Sequence, residues 1–179
     1  MTTRVNTIAF KGFASDRGEA GSSIRKPGDL VIIRRERLPR WAVLRCPSGC
    51  GDDVILNLDR RTGRAWSLYK GPGKLVSIYP SIWRDTGCGS HFIIWNNRVI
   101  WCDYDETPLD SGEVIADVGS TPILKILAEN RGYISYVDIA ARLDAIPWDV
   151  LVICQRLVRD RRIEEEQSKE RGRFRLAEK

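Results

Sequence analysis

Histidine occurs once in the 179 residues, at His91. Any Ser–His–Asp or Cys–His chemistry would have to run through that one side chain. No apolar run approaches the about 20 residues that a membrane helix requires. The stretch from Met1 to Phe10 has no basic start, apolar centre or small-residue cleavage site, so it does not read as a signal peptide. Together these absences predict a cytoplasmic protein without a membrane partner. Cysteine occurs five times. An odd count in a cytosolic chain argues against a disulfide framework. The Walker spacing is missing as well. Gly71-Pro-Gly73-Lys74 lacks the required interval and a following helix, so it reads as a hairpin turn. No small-molecule substrate is implied.

Hydrophobic residues make up 42% of the chain, with six Trp, which is enough to build a core. The net charge of +5 is unevenly spread. Met1 to Arg45 carries ten Lys/Arg against four Asp/Glu, Cys46 to Val118 seven against ten, and Gly119 to Lys179 twelve against ten. The positive excess therefore sits in the N-terminal quarter. There Arg34, Arg35, Arg37 and Arg40 form the best polyanion-binding candidate, against the plainer reading of a charged strand edge.

Three regions are expected. Residues 1–27 mix Gly, Ser and charge with little apolar period, and predict a mobile or peripheral arm. Residues 28–118 predict a β-rich domain. Strand candidates are Leu30 to Arg34, Trp41 to Arg45, Val54 to Leu58, Ala65 to Tyr69, Leu75 to Tyr79, His91 to Trp95 and Arg98 to Cys102. Asn96-Asn97 reads as a tight hairpin turn, because Asn tolerates the left-handed backbone. Asp103 to Gly119 is acidic and reads as a linker, or as a last strand over Glu113 to Val118 followed by a junction. In residues 119–179 the period becomes helical. Pro122 suits the first turn of one helix, Ser135 caps a second and Pro147 opens a third. A hairpin over Arg162 to Gln167 and Arg173 to Leu176 would follow. The fold class is thus α+β: a small antiparallel β zinc-binding domain followed by a winged helix-turn-helix domain.

The metal assignment comes from spacing. Cys46-Pro-Ser-Gly-Cys50 places two thiolates in a glycine-containing turn, and Cys88-Gly-Ser-His91 supplies a second pair before a strand. Two such pairs separated by a β segment have the layout of a Cys3His zinc site. Thiolates and imidazole select zinc over hard cations. Four protein ligands would close the shell, so one structural Zn2+ is expected rather than a hydrolytic one. Asp52 and Asp53, the available bases beside the first pair, read as solvated turn residues. Cys102 is the rival fourth ligand, with a buried strand position the plainer reading. Cys154 falls on the apolar face of the third helix.

The third helix also bears on partners. Its outward face carries Trp148, Val152, Arg156 and Arg159. The arginines could meet DNA phosphates, whereas Trp148 and Val152 suit protein contact better than a DNA groove. Composition favours docking over a DNA-binding regulator.

Several segments carry a resemblance: Trp41-Ala-Val-Leu-Arg-Cys46-Pro-Ser-Gly-Cys50-Gly, Leu56-Asn-Leu, Tyr79-Pro-Ser-Ile-Trp83, Gly87-Cys88-Gly-Ser-His91-Phe-Ile-Ile-Trp95 and Val99-Ile-Trp101. Over Leu30 to Cys102 the chain resembles a family of small bacterial zinc-binding proteins encoded beside ubiquitin-like proteins, E1-like adenylyltransferases and E2-like enzymes. That family often has Cys-Pro-Cys-Gly-Cys where Ser48 stands here in place of the middle cysteine. The resemblance implies a place in a bacterial ubiquitin-like conjugation pathway, with E1-like, E2-like or ubiquitin-like partners. With a closed metal site, the expected role is a non-catalytic accessory or E3-like adaptor.

Overall fold

The computed structural model describes residues 3–71, 73–102, 118–167 and 171–177, which fall into two compact units, Met1–Glu106 and Thr107–Lys179. The junction region expected from Asp103 onward lies outside the described residues up to position 117.

In the first unit, strands β1 (Ala9–Ala14), β2 (Asp29–Arg35), β3 (Leu38–Arg45) and β4 (Asp53–Asn57) form one four-stranded sheet in chain order. Strands β5 (Ser67–Lys70), β6 (Val76–Trp83), β7 (His91–Trp95) and β8 (Arg98–Trp101) form a second. Helix α1 (Arg17–Ser23) joins β1 to β2. Only β1 and β2 pair in parallel, which fits their being linked through a helix.

Three layers follow from the burial pattern. Leu30, Ile32, Ala42, Leu44 and Leu56 of the first sheet share one core with Ile78, Ile82, Phe92 and Ile94 of the second. The opposite face of the first sheet buries Val31, Ile33 and Val43 against Ala20 and Ile24 of the α1 segment. This is why β2 reads as the continuous apolar run Leu-Val-Ile-Ile: both of its faces are covered.

The N-terminal segment departs from the arm that composition suggests. It supplies β1 and α1, and Ile8, Ala14, Ala20 and Ile24 are buried. Asp16 caps α1 by accepting from the Glu19 N–H, and the Glu19 carboxylate accepts in return from the Ser15 N–H. Asp29 ties the same segment down. Its carboxylate accepts from the N–H groups of Arg25 and Lys26 and pairs with Lys11 at 3.0 Å. Burial works against this charge, but the two backbone donors and Lys11 hold the Asp29 pKa below its ordinary value.

Two hairpins turn on left-handed residue pairs. Asn96 and Asn97, at φ 48° and 60°, join β7 to β8 as their sequence predicts. Glu36 and Arg37, at φ 51° and 66°, join β2 to β3. That second hairpin is hidden in the sequence, because neither residue favours the left-handed region.

The second unit contains α2 (Ser120–Glu129), the short strand β9 (Ile134–Ser135), α3 (Tyr136–Leu143), α4 (Pro147–Arg159), β10 (Ile163–Glu165) and β11 (Arg173–Leu176). Its strands pair antiparallel in the order β10-β11-β9. Ser135 caps α3 by accepting from the Asp138 N–H, and Pro147 opens α4. Asp144 ends α3 in the left-handed conformation. Ile123, Leu127, Ile139, Val150, Leu157 and Phe174 are buried. Cys154 is fully buried with them, and burial together with Glu165 raises its thiol to about 12.

Candidate functional site

Two turns of the first unit meet at their sulfurs. Cys46 ends the core-facing run of β3, and its N–H donates to the Asp52 carbonyl, closing the loop that carries Cys50. Gly49 and Gly51 take φ of 79° and 90° there, which a side chain would strain. Cys88 lies in the loop between β6 and β7, between Gly87 and Gly89 at φ 77° and 67°. The loop is closed by the Arg84 N–H donating to the Ser90 carbonyl. The side chain of Arg84 reaches back to Asp52 at 3.1 Å, so an ion pair joins the two turns.

The ligating atoms of Cys46, Cys50 and Cys88 all lie within 4.8 Å of one another, and the Sγ atoms of Cys46 and Cys88 are 3.8 Å apart. Two sulfurs bound at about 2.3 Å in a tetrahedral shell stand about 3.8 Å apart. The donor set thus fits one zinc ion: soft, all thiolate at these three positions and preformed by two turns. Two serine hydroxyls brace it. Ser48 Oγ lies 3.2 Å from the Cys46 sulfur and accepts from the Cys50 N–H, and Ser90 Oγ lies 3.2 Å from the Cys88 sulfur.

The thiols differ in acidity. Burial raises Cys46 above its ordinary value despite the Ser48 contacts. Burial also pushes Cys88 upward, but hydrogen bonds from Ser48, from the hydroxyl and N–H of Ser90, and from Cys46 bring it down to about 6. Of the three sulfurs, Cys88 is thus held nearest to the thiolate form that a metal requires.

Three of the four expected ligands come together, and His91 is not in the group. It opens β7, opposite Trp83 of β6, and its ring centroid is 6.1 Å from that of Trp83. Phe92 and Ile94 point into the core, so strand alternation places His91 on the other face of the second sheet.

Ser81 shares that face. Ile82 pairs with Phe92 in the core, which turns both of its strand neighbours, Ser81 and Trp83, outward. Ser81 closes the irregular stretch between the Ile78 and Ile82 pairings and lies two residues from Trp83, the strand partner of His91. Cys102 follows β8 on the other neighbouring strand, opposite His91, and its N–H donates to the His91 carbonyl. The other serines near the sulfurs are committed elsewhere. Ser90 and Ser48 are 2% and 8% exposed, with hydroxyls facing thiols, and Ser77 is buried against Asn96. Sequence reading passes over Ser81. The Tyr79-Pro-Ser-Ile-Trp83 segment is visible, but only the β6–β7 register shows which side chain shares a face with the sole histidine.

The remaining candidates scatter. Arg40 is held by Asp59, which also binds Arg61. Arg37 sits in the β2–β3 turn, while Arg34 and Arg35 end β2. In the second unit, Trp148 and Val152 on α4 are 60% and 39% exposed, and Arg156 and Arg159 are exposed beside them. Asp52 and Asp53 are engaged with Arg84 and Arg45, as turn residues. No helix among the described residues is long and apolar enough to cross a membrane.

A family model described as "Bacterial ubiquitination-like system serine protease (BubE)" matches residues 17–102. The matched stretch holds α1, β2 to β4 of the first sheet, the whole second sheet, the three clustered cysteines, Ser81 and His91. It supports the pathway context that the sequence resemblance implies. Comparison with curated proteins and with solved structures returns no match.

Proposed function

We propose that the β unit is a serine peptidase of a bacterial ubiquitin-like system, with Ser81 as nucleophile and His91 as general base. The observation that carries this reading is that Ser81 and the chain's only histidine stand on adjacent strands, Ser81 two residues from Trp83, which pairs with His91. The description of the family similar to residues 17–102 names the same chemistry. In this mechanism the Ser81 hydroxyl attacks a peptide carbonyl while His91 takes its proton. His91 returns the proton to the departing amine, leaving an acyl-enzyme. A water molecule, deprotonated by His91, then releases the acid. Substrates of the pathway are ubiquitin-like proteins, whose tails or conjugates present the scissile amide.

Cys46, Cys50 and Cys88 would hold one structural zinc. The metal would supply no chemistry at Ser81; it would pin the Cys46 turn to the loop that leads into His91. This division frees His91 from the ligand set that spacing suggests. Removal of a C-terminal extension from a ubiquitin-like protein of the same pathway, followed by mass spectrometry, tests the assignment. Ser81→Ala and His91→Ala should each abolish cleavage and leave the zinc content unchanged. Cleavage surviving both substitutions sinks the peptidase reading. Zinc lost with His91→Ala returns that side chain to the metal.

A second reading concerns the C-terminal unit. Its three helices and β10–β11 hairpin support a winged helix, and exposed Trp148 and Val152 favour protein docking. As an E3-like adaptor, the chain would bring an E2-like enzyme or a ubiquitin-like protein to its target. Co-purification with E1-like, E2-like and ubiquitin-like proteins tests this. The DNA-binding alternative rests on Arg156 and Arg159 and predicts a salt-dependent gel shift.

A further inference from the structure

A cavity of about 340 Å3 opens where β1 passes the β5–β6 turn, lined by Phe10, Phe13, Arg34, Lys70, Lys74 and Leu75 among others. No carboxylate lines it among the described residues. Lys11 at its edge is neutralised by Asp29, but Arg34, Lys70 and Lys74 enter no ion pair among the described residues. Arg34 Nε is buried without a hydrogen-bond partner. The guanidinium lies over the Phe13 ring, with the Lys70 ammonium 5.0 Å from the same ring. Phe13 is nevertheless 41% exposed and meets Phe10 edge-on at 5.3 Å.

Three uncompensated cations around apolar walls call for a ligand with negative charge and a flat or apolar body. Carboxylates alone would leave the aromatic wall unused. A nucleotide satisfies both parts: phosphate oxygens for the lysines and Arg34, and a base against the Phe13–Arg34 stack. The cleft also continues past Arg34. A second cavity, of about 410 Å3, shares Arg34 and is lined by Ile33, Arg35, Arg40 and Trp41 among others. Its two carboxylates are already engaged, Asp59 by Arg40 and Arg61, and Asp16 as the α1 cap. A track with cations in both halves suits consecutive phosphates better than a single ligand.

We infer that the Lys70/Lys74/Arg34 cleft binds the phosphates of a single-stranded nucleic acid, with a base against Phe13. It lies on residues separate from the Ser81/His91 face and does not depend on the peptidase reading.

Fluorescence anisotropy of the full chain with a labelled oligothymidylate of about 12 nucleotides, within usual single-strand site sizes, tests it. Binding should weaken with salt, with a log–log slope of about −2 for three phosphate contacts. Lys70→Ala/Lys74→Ala should lower affinity about tenfold or more and flatten the slope by about 1.4, at an unchanged melting temperature. Arg34→Gln should weaken binding likewise, and Ser81→Ala should leave it unchanged. ATP serves as the competing arm. Displacement at similar concentration, with the same sensitivity to the variants, assigns the cleft to free nucleotides of the same chemistry. Absence of binding by both probes overturns the inference, as does binding that the Lys70/Lys74 and Arg34 variants leave intact.

Discussion

The two units solve opposite problems with short elements. The β unit carries its candidate groups in turns and on adjacent strands: three sulfurs in two glycine-containing loops, and Ser81 and His91 on β6 and β7. The C-terminal unit hides its one cysteine and leaves Trp148 and Val152 outside. The lesson lies in what each can lose. Where two loops must converge, one bond between them controls the fold. Where a helix face is simply exposed, its side chains can change without cost to stability.

Cys46→Ser should therefore produce the largest effect. It removes one of the three clustered sulfurs that would hold the metal, and loss of a metal site ranks among the changes that cost about 4–5 kcal/mol or more. Calorimetry and metal analysis should show zinc lost and the β-unit transition greatly lowered. The helical signal of the second unit should persist. A shared, unchanged transition in both units would erase the distinction between them.

Ser81→Ala comes next, with an effect on rate alone. Loss of a nucleophile in a Ser–His system costs on the order of 10⁴-fold in turnover or more. Cleavage assays alongside melting curves separate this from the Cys46 effect, because the outward hydroxyl supports no core contact.

Asp29→Asn should destabilise the β unit by about 1–3 kcal/mol, since it strips a buried acceptor from Lys11 and two backbone donors. The folded pKa of Asp29 is lowered, so its ionised form stabilises the fold above the ordinary value of 3.8. That contribution is lost as pH falls through the folded pKa. Acid titration of stability should be shallower in the variant than in the wild type.

Trp148→Ser should change stability by less than about 0.5 kcal/mol, as an exposed substitution on α4. It should nonetheless abolish capture of any pathway protein that docks there. Equal capture by wild type and variant would leave the α4 face without a binding role.

The mildest probe is chemical. After chelation, alkylation at neutral pH should modify Cys88 first, because its thiol sits at about 6. Lowering the pH through that value should slow its reaction and weaken metal uptake together, since the ligand must be deprotonated. Cys154, raised to about 12, should react only after unfolding. Mass mapping of the modified peptides reads out this order.

Much of this arrangement is legible along the chain. The turn glycines around Cys46 and Cys88 mark where a metal could be gripped, and period changes separate strands from helices. Ser135 and Pro147 mark their helix starts through local chemistry. Other features stay silent. Residues 1–27 look peripheral because β1 carries a bulge near Gly12 that breaks its alternation, yet the segment adds a strand and a helix to the first sheet. The β2–β3 hairpin is invisible because Glu36 and Arg37 adopt left-handed backbone without the residue types that advertise it. The polyanion candidates read as one basic run, but Asp59, nineteen residues beyond Arg40, withdraws that arginine from the set.

His91 marks the boundary between the two kinds of information. The sequence by itself determined the Cys46/Cys50 and Cys88/His91 spacings, the soft character of those donors and the limit of one imidazole, because these depend on residue type and short spacing. Only the tertiary structure decided which groups meet. The three sulfurs meet without the His91 ring, and register sets His91 opposite Trp83, since adjacent strand residues face opposite sides and one residue of register exchanges them.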